Sequence, residues 1–377
     1  MSNIQPLAPT VLDLFSGCGG LSLGMEAVGF DVVGANDFDD PALDAFALNH
    51  PHAHVWRGRV EELSSSQVLS DLSMSPGDLD ALVGGPPCQG FSQNRARRHV
   101  AGQFVNDPRN FLFKEFLRFV RDLEPKTVIV ENVPQLLIKE GGAFKREIEE
   151  TLVDLGYESV SDVLNAADYG VPQRRKRAII IASRVGNPAL PLPTHQAAED
   201  EGQLFSLPPY VTVWDAIGDL PPLLPGEGDS PVPYVTEPAS TFQKERRDES
   251  DALTDHVAWE LSPVQAERLT YLGEGDGMEK LPPHLAPKSG YGSAYRRMTR
   301  SEPALTITTW MYHPGSGMFC HPVDPRVITL REGARLQSFD DRVQFVGGKV
   351  ARCRQVGNAV PPLLGRALGA ALLPLLR

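Results

Sequence analysis

The stretch Thr10-Val-Leu-Asp-Leu-Phe-Ser-Gly-Cys-Gly-Gly20 indicates the fold most directly. Its apolar first half is typical of a buried strand, and its glycines allow a tight turn into the N-terminus of a helix. This alternation of strand and helix predicts an α/β domain with a parallel sheet covered on both faces, and ligands bind beyond the carboxyl ends of such strands. Four more apolar runs continue the pattern, at residues 31–37, 79–85, 126–132 and 177–183.

Two helices are predicted between these runs and one after them. Phe113, Phe116, Leu117 and Val120 share one face of the first, and Phe144, Ile148, Leu152 and Leu155 share one face of the second, which ends at Gly156. The apolar stretch that begins at Pro361 returns to a helical pattern and is expected to pack back on the sheet.

The composition changes after about Ala182, where proline and glycine become frequent and periodicity weakens. Short apolar pieces persist in this part, which favours an irregular second domain over a linker. We therefore expect a first domain at residues 1–190, completed by 350–377, and a smaller second domain at 191–349.

Charge and cysteine content limit the class of protein. The four cysteines form no paired spacing, no secretory signal or membrane-length apolar run is apparent, and the chain is expected to be cytoplasmic and reduced. With 36 basic and 48 acidic side chains the net charge is −12, so any DNA binding requires a local basic surface. Candidate clusters are Arg95, Arg97, Arg98 and His99; Arg174 to Arg177; and Arg296, Arg297 and Arg300.

The glycine loop after the first run suits an adenosine-containing cofactor. Counting from Gly17 and Gly19 places Ser22 where a dinucleotide fingerprint needs a third glycine, so nicotinamide binding is disfavoured. Asp37 lies 20 positions after Gly17, at the end of the second run, where a carboxylate can bind ribose hydroxyls. Phe38 is suited to stacking on adenine. The alternative is a plain tight turn followed by a surface carboxylate.

Cys88 is the candidate nucleophile. It lies in Gly84-Gly-Pro-Pro-Cys-Gln-Gly-Phe-Ser92, directly after a buried strand, and the polar loop that follows reaches Arg95, Arg97 and Arg98. Nearby positive charge favours the reactive thiolate. An isolated cysteine is otherwise most often a small core residue.

Two further segments carry candidate polar groups. Glu131 closes the run Val130-Glu-Asn-Val133, where a partly desolvated carboxylate can donate a proton or pair with an arginine. In Val171-Pro-Gln-Arg-Arg-Lys-Arg177, alternation along an extended chain places Gln173, Arg175 and Arg177 on one face, which suits a planar oxygen-bearing ligand or a phosphate. The histidines at positions 50, 52 and 54 indicate a polar turn, and no metal site is expected.

Taken in this order, DLFSGCGG, GGPPCQGFS, ENV and QRRKR resemble the motifs of the DNA cytosine carbon-5 methyltransferases. The resemblance extends to RVITLREGARLQ at 326–337 and QVGNAVPP at 355–362, and it covers essentially the whole chain. It implies a Rossmann-like S-adenosylmethionine-binding sheet with a smaller, irregular target-recognition domain. The implied activity is methylation of a flipped cytosine in a specific sequence of double-stranded DNA.

The resemblance also implies roles for individual residues. Cys88 is the implied nucleophile, Glu131 the acid facing the base, and Gln173, Arg175 and Arg177 the lining of the base pocket, with Arg175 nearest the cytosine carbonyl. The implied S-adenosylmethionine contacts are Phe15, Gly17, Gly19, Asp37, Phe38, Val60, Pro87, Leu112, Asn358 and Val360. The implied DNA contacts are Gln89, Ser92, Arg95, Arg97, Arg98, Arg296 and Arg297.

One position departs from the family pattern. Arg59 lies where an aspartate is expected to accept a hydrogen bond from the adenine amino group, and arginine has only donors. This departure leaves open a catalytically silent DNA-binding relative with impaired cofactor binding. The resemblance itself leaves a second alternative, cytosine methylation of structured RNA. The expected partners are double-stranded DNA and a cognate restriction endonuclease or defence system, for a monomeric protein associated with the nucleoid.

Overall fold

The computed structural model describes residues 8–87, 112–197, 206–247, 250–287 and 292–377. The chain forms two compact units. The first comprises Met1–Asn165, Lys176–Leu192 and Leu364–Arg377, and the second comprises Ala166–Arg175 and Pro193–Leu363. Compared with the expected first domain, the first unit does not include residues 166–175, and its C-terminal part begins at residue 364 instead of 350.

A seven-stranded sheet forms the centre of the first unit, with strand order β3-β2-β1-β4-β5-β8-β6. All five strands expected from the sequence are present, and two more strands, β3 and β6, join them. The strands are β1 Thr10–Leu14, β2 Asp31–Asp37, β3 His54–Arg57, β4 Ala81–Gly84, β5 Thr127–Asn132, β6 Glu158–Asn165 and β8 Lys176–Ser183. A short parallel pair in the second unit joins β7 Gln173–Arg174 to β9 Ala304–Leu305.

The expectation of a parallel sheet is right for four of the six strand pairings and wrong for the two pairings that β8 makes. Strands β3, β2, β1, β4 and β5 are parallel, whereas β8 is antiparallel to both β5 and β6. Only residues 166–175 separate β6 from β8, and a connection this short cannot form the crossover that parallel neighbours require.

The helices of the first unit are α1 Gly20–Glu26, α2 Asp40–Asn49, α3 Ser65–Asp71, α4 Leu112–Leu123, α5 Gln135–Ile138, α6 Ala143–Asp154 and, from residue 364 onward, α12 Pro362–Leu372. Those of the second unit are α7 Val213–Ile217, α8 Thr241–Arg247, α9 Pro263–Thr270, α10 Leu330–Leu336 and α11 Lys349–Asn358. Short 3₁₀ turns occur at Val60–Glu62, Lys139–Gly142, Ala166–Tyr169, Met278–Lys280, Pro314–Ser316 and Leu373–Leu375.

The predicted helix faces form the core of the first unit. The four residues predicted to share a face of α4 are all buried in one apolar cluster with the sheet. Ile148 and Leu152 of α6 are buried in the same cluster. The chain leaves α6 at Gly156, which adopts a φ of 84° that favours glycine. Both helix predictions are confirmed.

The C-terminal apolar stretch also packs in the first unit. By length and composition, Lys349–Leu375 could cross a membrane, but half of its most apolar window is buried within the protein. Leu364, Leu368 and Leu372 are fully buried. A Cβ at Gly365 would lie 2.8 Å from the carbonyl oxygen of Leu21, so α12 packs closely on α1. The stretch therefore contains a core helix, as expected from its sequence pattern.

Buried ion pairs hold much of the second unit together. Arg335 of α10 binds Asp219 at 2.5 Å and Asp341 at 2.6 Å, and all three side chains are fully buried. Arg326 binds Glu332 at 2.7 Å and, although burial opposes it, holds the pKa of that carboxyl well below its usual range. Removing one partner from such a pair costs about 3–5 kcal/mol. These ion pairs fix loops that carry few regular elements.

Candidate active site

The glycine loop after β1 leaves open space next to its backbone. Phe15 and Gly17 adopt φ values of 60° and 56°, and a Cβ at Gly17 would have no atom within 4 Å. Gly19, with a φ of 87°, is constrained differently, because its Cβ would lie 2.5 Å from the Nε2 atom of buried His50. Gly17 thus leaves room for a ligand, whereas Gly19 is needed for packing.

Asp37 and Phe38 lie at the end of β2, the neighbour of β1. The Asp37 carboxylate accepts hydrogen bonds from the amides of Gly17 (2.8 Å) and Asp39 (2.9 Å). Burial raises the pKa of Asp37 against the lowering effect of these bonds. The Phe38 side chain is 64% exposed. A carboxylate and an exposed aromatic ring next to an open glycine turn fit a nucleoside.

Asp13 is a buried acid in this region that the sequence did not single out. It precedes the end of β1 and accepts a hydrogen bond from Ser22 Oγ of α1 at 2.7 Å. Burial raises the pKa of Asp13 to about 7, and the carboxylates of Asp37 and Glu131 add to the effect, whereas the Ser22 bond opposes it. The signal available in the sequence was an aspartate within an otherwise apolar strand.

Arg59 and Val60 follow β3 and differ in exposure. Val60 begins a 3₁₀ turn and is buried in the apolar core, so its side chain packs with the core. The Arg59 side chain is 71% exposed and lies 4.0 Å from Glu61. An arginine at this position is therefore compatible with the fold, because its charge stays in solvent.

Glu131 and Arg177 form an ion pair at the end of β5. The Nε atom of Arg177 lies 2.8 Å from Oε1 of Glu131, and the two side chains are only 14% and 11% exposed. A Cβ at Gly85 would lie 2.9 Å from Oε2 of the same carboxylate. The sequence left open whether Glu131 serves as an acid or as the partner of an arginine, and the structure supplies the arginine.

Asn132 connects the end of β5 to the segment that leads to Cys88. Its side-chain amide donates a hydrogen bond to the carbonyl oxygen of Pro86 at 2.8 Å. Pro86 and Pro87 thus leave β4 next to Glu131, and Pro87 is partly buried. Leu112, another expected cofactor contact, begins α4. Cys88, Gln89, Ser92, Arg95, Arg97 and Arg98 lie outside the described residues.

Gln173 and Arg175 are buried in the second unit, where they bind main-chain groups. The Arg175 side chain donates hydrogen bonds to the carbonyl oxygens of Ile307, Gly357 and Ala359 at 3.0–3.2 Å, and the residue is 1% exposed. Gln173 accepts from the amide of Ile307 at 2.7 Å. The expectation that Arg175 lies nearest a base carbonyl does not agree with these contacts, because the guanidinium already binds three acceptors.

Arg297, which was expected to contact DNA, also binds main-chain groups within the protein. It is buried and donates to the carbonyl oxygens of Val323 (2.6 Å) and Leu269 (2.9 Å). Arg296 pairs with Glu279 at 3.1 Å. These interactions weaken the interpretation of this cluster as a DNA-binding surface.

The last two expected cofactor contacts also lie in the second unit. Asn358 is the exposed C-terminal residue of α11, and Val360 is buried two residues later. Of the histidines of the 50–54 segment, buried His50 borders the glycine loop of the first unit and binds Glu26 at 2.8 Å. Within the described ranges, no three histidine, cysteine or carboxylate side chains form a metal-binding group.

A mixed sheet covered by helices, with a glycine turn, an exposed aromatic residue and an acid at adjacent strand ends, is typical of α/β domains that bind a nucleoside-containing ligand. The family model for C-5 cytosine-specific DNA methylases matches residues 9–373. The chain therefore belongs to the C-5 cytosine-specific DNA methylase family, and it is a methyltransferase.

Individual relatives match over nearly the whole chain. The Type II methyltransferase M.AgeI of Thalassovita gelatinovora is 32% identical, with 96% of this chain and 98% of the relative aligned. M1.HphI of Haemophilus parahaemolyticus is 34% identical, with 98% and 88% aligned. A crystal structure described as a DNA modification methyltransferase from an Escherichia coli prophage has a TM-score of 0.74 and 26% identity, with 98% of this chain and 99% of that chain covered. These matches confirm the resemblance and the Rossmann-like methyltransferase fold.

Proposed function

We propose that the protein methylates carbon 5 of a cytosine within a specific sequence of double-stranded DNA, with S-adenosylmethionine as methyl donor and Cys88 as nucleophile. The observation that carries the proposal is the Glu131–Arg177 pair at the end of β5, linked through Asn132 to the segment that enters Cys88. A charged pair of this kind suits recognition of the polar edge of a base.

The residues at the ends of β1 and β2 fit S-adenosylmethionine. Phe15, Gly17 and Gly19 form the turn, Asp37 is the acceptor suited to the ribose hydroxyls, and Phe38 is the aromatic face suited to adenine. Pro87, Leu112, Asn358 and Val360 remain further proposed contacts. When bound, the cofactor supplies an electrophilic methyl group. The side chain of Val60 is less suited to a contact because it packs in the core.

The chain's own residues activate the base. Carbon 5 of cytosine is too weakly nucleophilic to take a methyl group unaided. Addition of the Cys88 thiolate to carbon 6 makes carbon 5 enamine-like, while Glu131 hydrogen-bonds the ring nitrogen edge. Carbon 5 then takes the methyl group as the sulfur–methyl bond of the donor breaks and leaves a neutral thioether. Loss of the carbon-5 proton to water and elimination of the thiolate then restore the aromatic ring and the free enzyme.

Arg177 replaces Arg175 in this proposal as the residue that contacts the base carbonyl. Arg177 already pairs with Glu131, so one guanidinium orients the acid and keeps donors for an oxygen of the base. Arg175 and Gln173 become positioning residues that fix the main chain around Ile307.

The target base must leave the helix, because a thiolate cannot reach carbon 6 inside a duplex. Arg95, Arg97 and Arg98, together with Gln89 and Ser92, are proposed to bind the DNA around the flipped base. The named relatives are Type II methyltransferases. A cognate restriction endonuclease is therefore the proposed partner, and a monomer acting on cytoplasmic, nucleoid DNA the proposed form.

Covalent trapping tests the proposal. A duplex that carries 5-fluorocytosine at the target position should form a stable complex with the wild-type protein when S-adenosylmethionine is present, and Cys88→Ala should form none. The target sequence itself comes from bisulfite sequencing of DNA from cells that express the chain. The same duplex without fluorine serves as control and should release the protein.

Three results would contradict it. Trapping by Cys88→Ala would show that another residue is the nucleophile. A wild-type protein that binds DNA but gives no heat of binding with S-adenosylmethionine in calorimetry would support the silent alternative, in which Arg59 impairs the cofactor site. Methylation of structured RNA with no methylation of duplex DNA would support the RNA alternative.

A further inference from the structure

Trp310 is the most exposed large aromatic side chain among the described residues of the second unit. It is 60% exposed, and its ring centroid lies 5.8 Å from that of Tyr312. The Tyr312 ring in turn meets Trp259 edge to face at 6.4 Å. A single exposed apolar side chain is normal on a protein surface, so the case for a contact at Trp310 depends on its surroundings.

The main chain that carries Trp310 is held on both sides. We call residues 306–313 the Trp310 loop. A Cβ at Gly333 of α10 would lie 2.5 Å from Sδ of Met311, and a Cβ at Gly357 of α11 would lie 2.5 Å from the carbonyl carbon of Thr308. Both helices thus approach the loop as closely as glycine permits.

Hydrogen bonds fix the loop further. The Ser316 hydroxyl, which has one proton to donate, lies 2.7 Å from the carbonyl oxygen of Trp310 and 2.6 Å from that of His313. At the start of the loop, Ile307 receives a hydrogen bond from Arg175 at its carbonyl oxygen and donates its amide proton to Gln173. The backbone is therefore ordered before any partner binds, which makes an exposed aromatic side chain an efficient anchor.

A cation lies next to the aromatic group. The Lys349 ammonium is 4.5 Å from the ring centroid of Trp259 and 4.8 Å from that of Tyr312. Two arginines elsewhere in the second unit have partners within the protein: Arg297 binds main-chain carbonyls, and Arg300 pairs with Glu274 at 2.9 Å. Flat aromatic surface with an adjacent cation is the chemistry that stacks on bases and attracts a phosphate.

We propose that Trp310 contacts a base of the DNA target sequence and contributes to sequence specificity, held in place by the clamped Trp310 loop with Lys349 facing the backbone phosphates. The inference rests on the proposed function, since it takes the duplex that the enzyme methylates as the occupant. The Trp310 loop is connected to the proposed base-binding residue Arg177 through the chain, because Gln173 and Arg175 of the same five-residue segment bind the main chain of this loop.

The test uses a 30-base-pair duplex that contains the methylation site found by bisulfite sequencing. Trp310→Ala should weaken duplex binding and raise the KM for the duplex by roughly 5-fold to 150-fold, the range expected for loss of one base–aromatic contact. Trp310→Phe should recover most of the loss. Bisulfite sequencing of DNA methylated by Trp310→Ala should show relaxed selectivity at one position of the site.

Tyr271→Ala is the matched control, because Tyr271 is another aromatic residue of the second unit that is 50% exposed. It should bind and methylate the duplex as the wild type does. Fluorescence gives an independent measurement: the iodide-quenchable emission that Trp310→Phe removes should become protected when the duplex is added to the wild-type protein.

Each failure points to a different conclusion. If Trp310→Ala methylates the duplex as well as the wild type does, and Trp310 of the wild-type protein stays quenchable in the complex, this inference alone is overturned and the surface is assigned to a protein partner. A wild-type protein that neither binds nor methylates duplex DNA overturns the proposed function and this inference together.

Discussion

Glutamine substitutions at Glu131 and Arg177, made singly and together, test whether the two residues act as one unit. At a separation of 2.8 Å the charges attract by about 6 kcal/mol at an effective dielectric constant of 20. Desolvation offsets much of this because both side chains are nearly buried. A hydrogen bond between charged groups contributes about 1.5–3 kcal/mol net, so we expect a coupling energy of that size in the free energy of unfolding.

The same substitutions should change the methylation rate more than the free energy of unfolding. Without Arg177 the Glu131 carboxyl loses its orientation, and without Glu131 the acid is gone, so either single variant should lower the single-turnover methylation rate by about 10²–10⁴-fold. The double variant should be no more than a few-fold slower than the worse single variant, because residues that act as a unit are not additive. DNA affinity should change little.

Arg174 and Glu302 supply the control pair. They lie 2.6 Å apart but are about half exposed, so their coupling energy should be under about 1 kcal/mol and their substitution should leave methylation unchanged. The measurements are denaturant unfolding and rapid-quench methylation of the mapped duplex. Two results would refute the idea that Glu131 and Arg177 act together. One is a double variant whose rate loss equals the product of the two single losses, and the other is a coupling energy no larger than that of the control pair.

Asp13→Asn should remove a pH-dependent loss of folding free energy. Because the folded-state pKa of Asp13 is raised from 3.8 to about 7, the wild type loses about 4 kcal/mol of stability as the pH rises from about 4 to 7. Urea unfolding at pH 5 and pH 8 should show the variant gaining on the wild type at the higher pH, and an equal difference at both would contradict the assignment. Gly85→Ala should lower methylation at least tenfold with little change in melting temperature, since its Cβ would lie 2.9 Å from Glu131 Oε2 and displace the acid; full activity would show that the carboxylate position is not critical.

A strand of the sheet could be predicted when both of its faces are buried, because its sequence is then a continuous apolar run. Strands β1, β2, β4, β5 and β8 have this pattern. Strand β6, with the sequence Glu158-Ser-Val-Ser-Asp-Val-Leu-Asn165, has no buried residue, and β3 has only one, Trp56. Direction was not predictable, because an apolar run does not indicate whether its neighbour is parallel or antiparallel.

The candidate site was predictable for those polar residues that lie directly at the carboxyl ends of strands. Asp37, Phe38 and Glu131 were expected from their position after apolar runs, and each lies at such an end. Arg175 and Arg177 could not be told apart, because alternate residues of an extended chain share a face. Their acceptors decide their roles, and those of Arg175 lie 132 to 184 residues further along the chain.

The arginines of the second unit explain why basic clusters in the sequence overstated its DNA-binding surface. A chain rich in proline and glycine forms few helices and strands, so many carbonyl groups lack a regular partner. Arginine offers five donors in a fixed geometry and can bind several carbonyls at once, as Arg175 and Arg297 do. Lysine at either position would lose the fork and leave buried acceptors unpaired. In such a loop-built domain an arginine of the sequence can serve internal hydrogen bonds, so we expect the proposed DNA contacts of this unit to come from cations and aromatic side chains that remain exposed, such as Trp310.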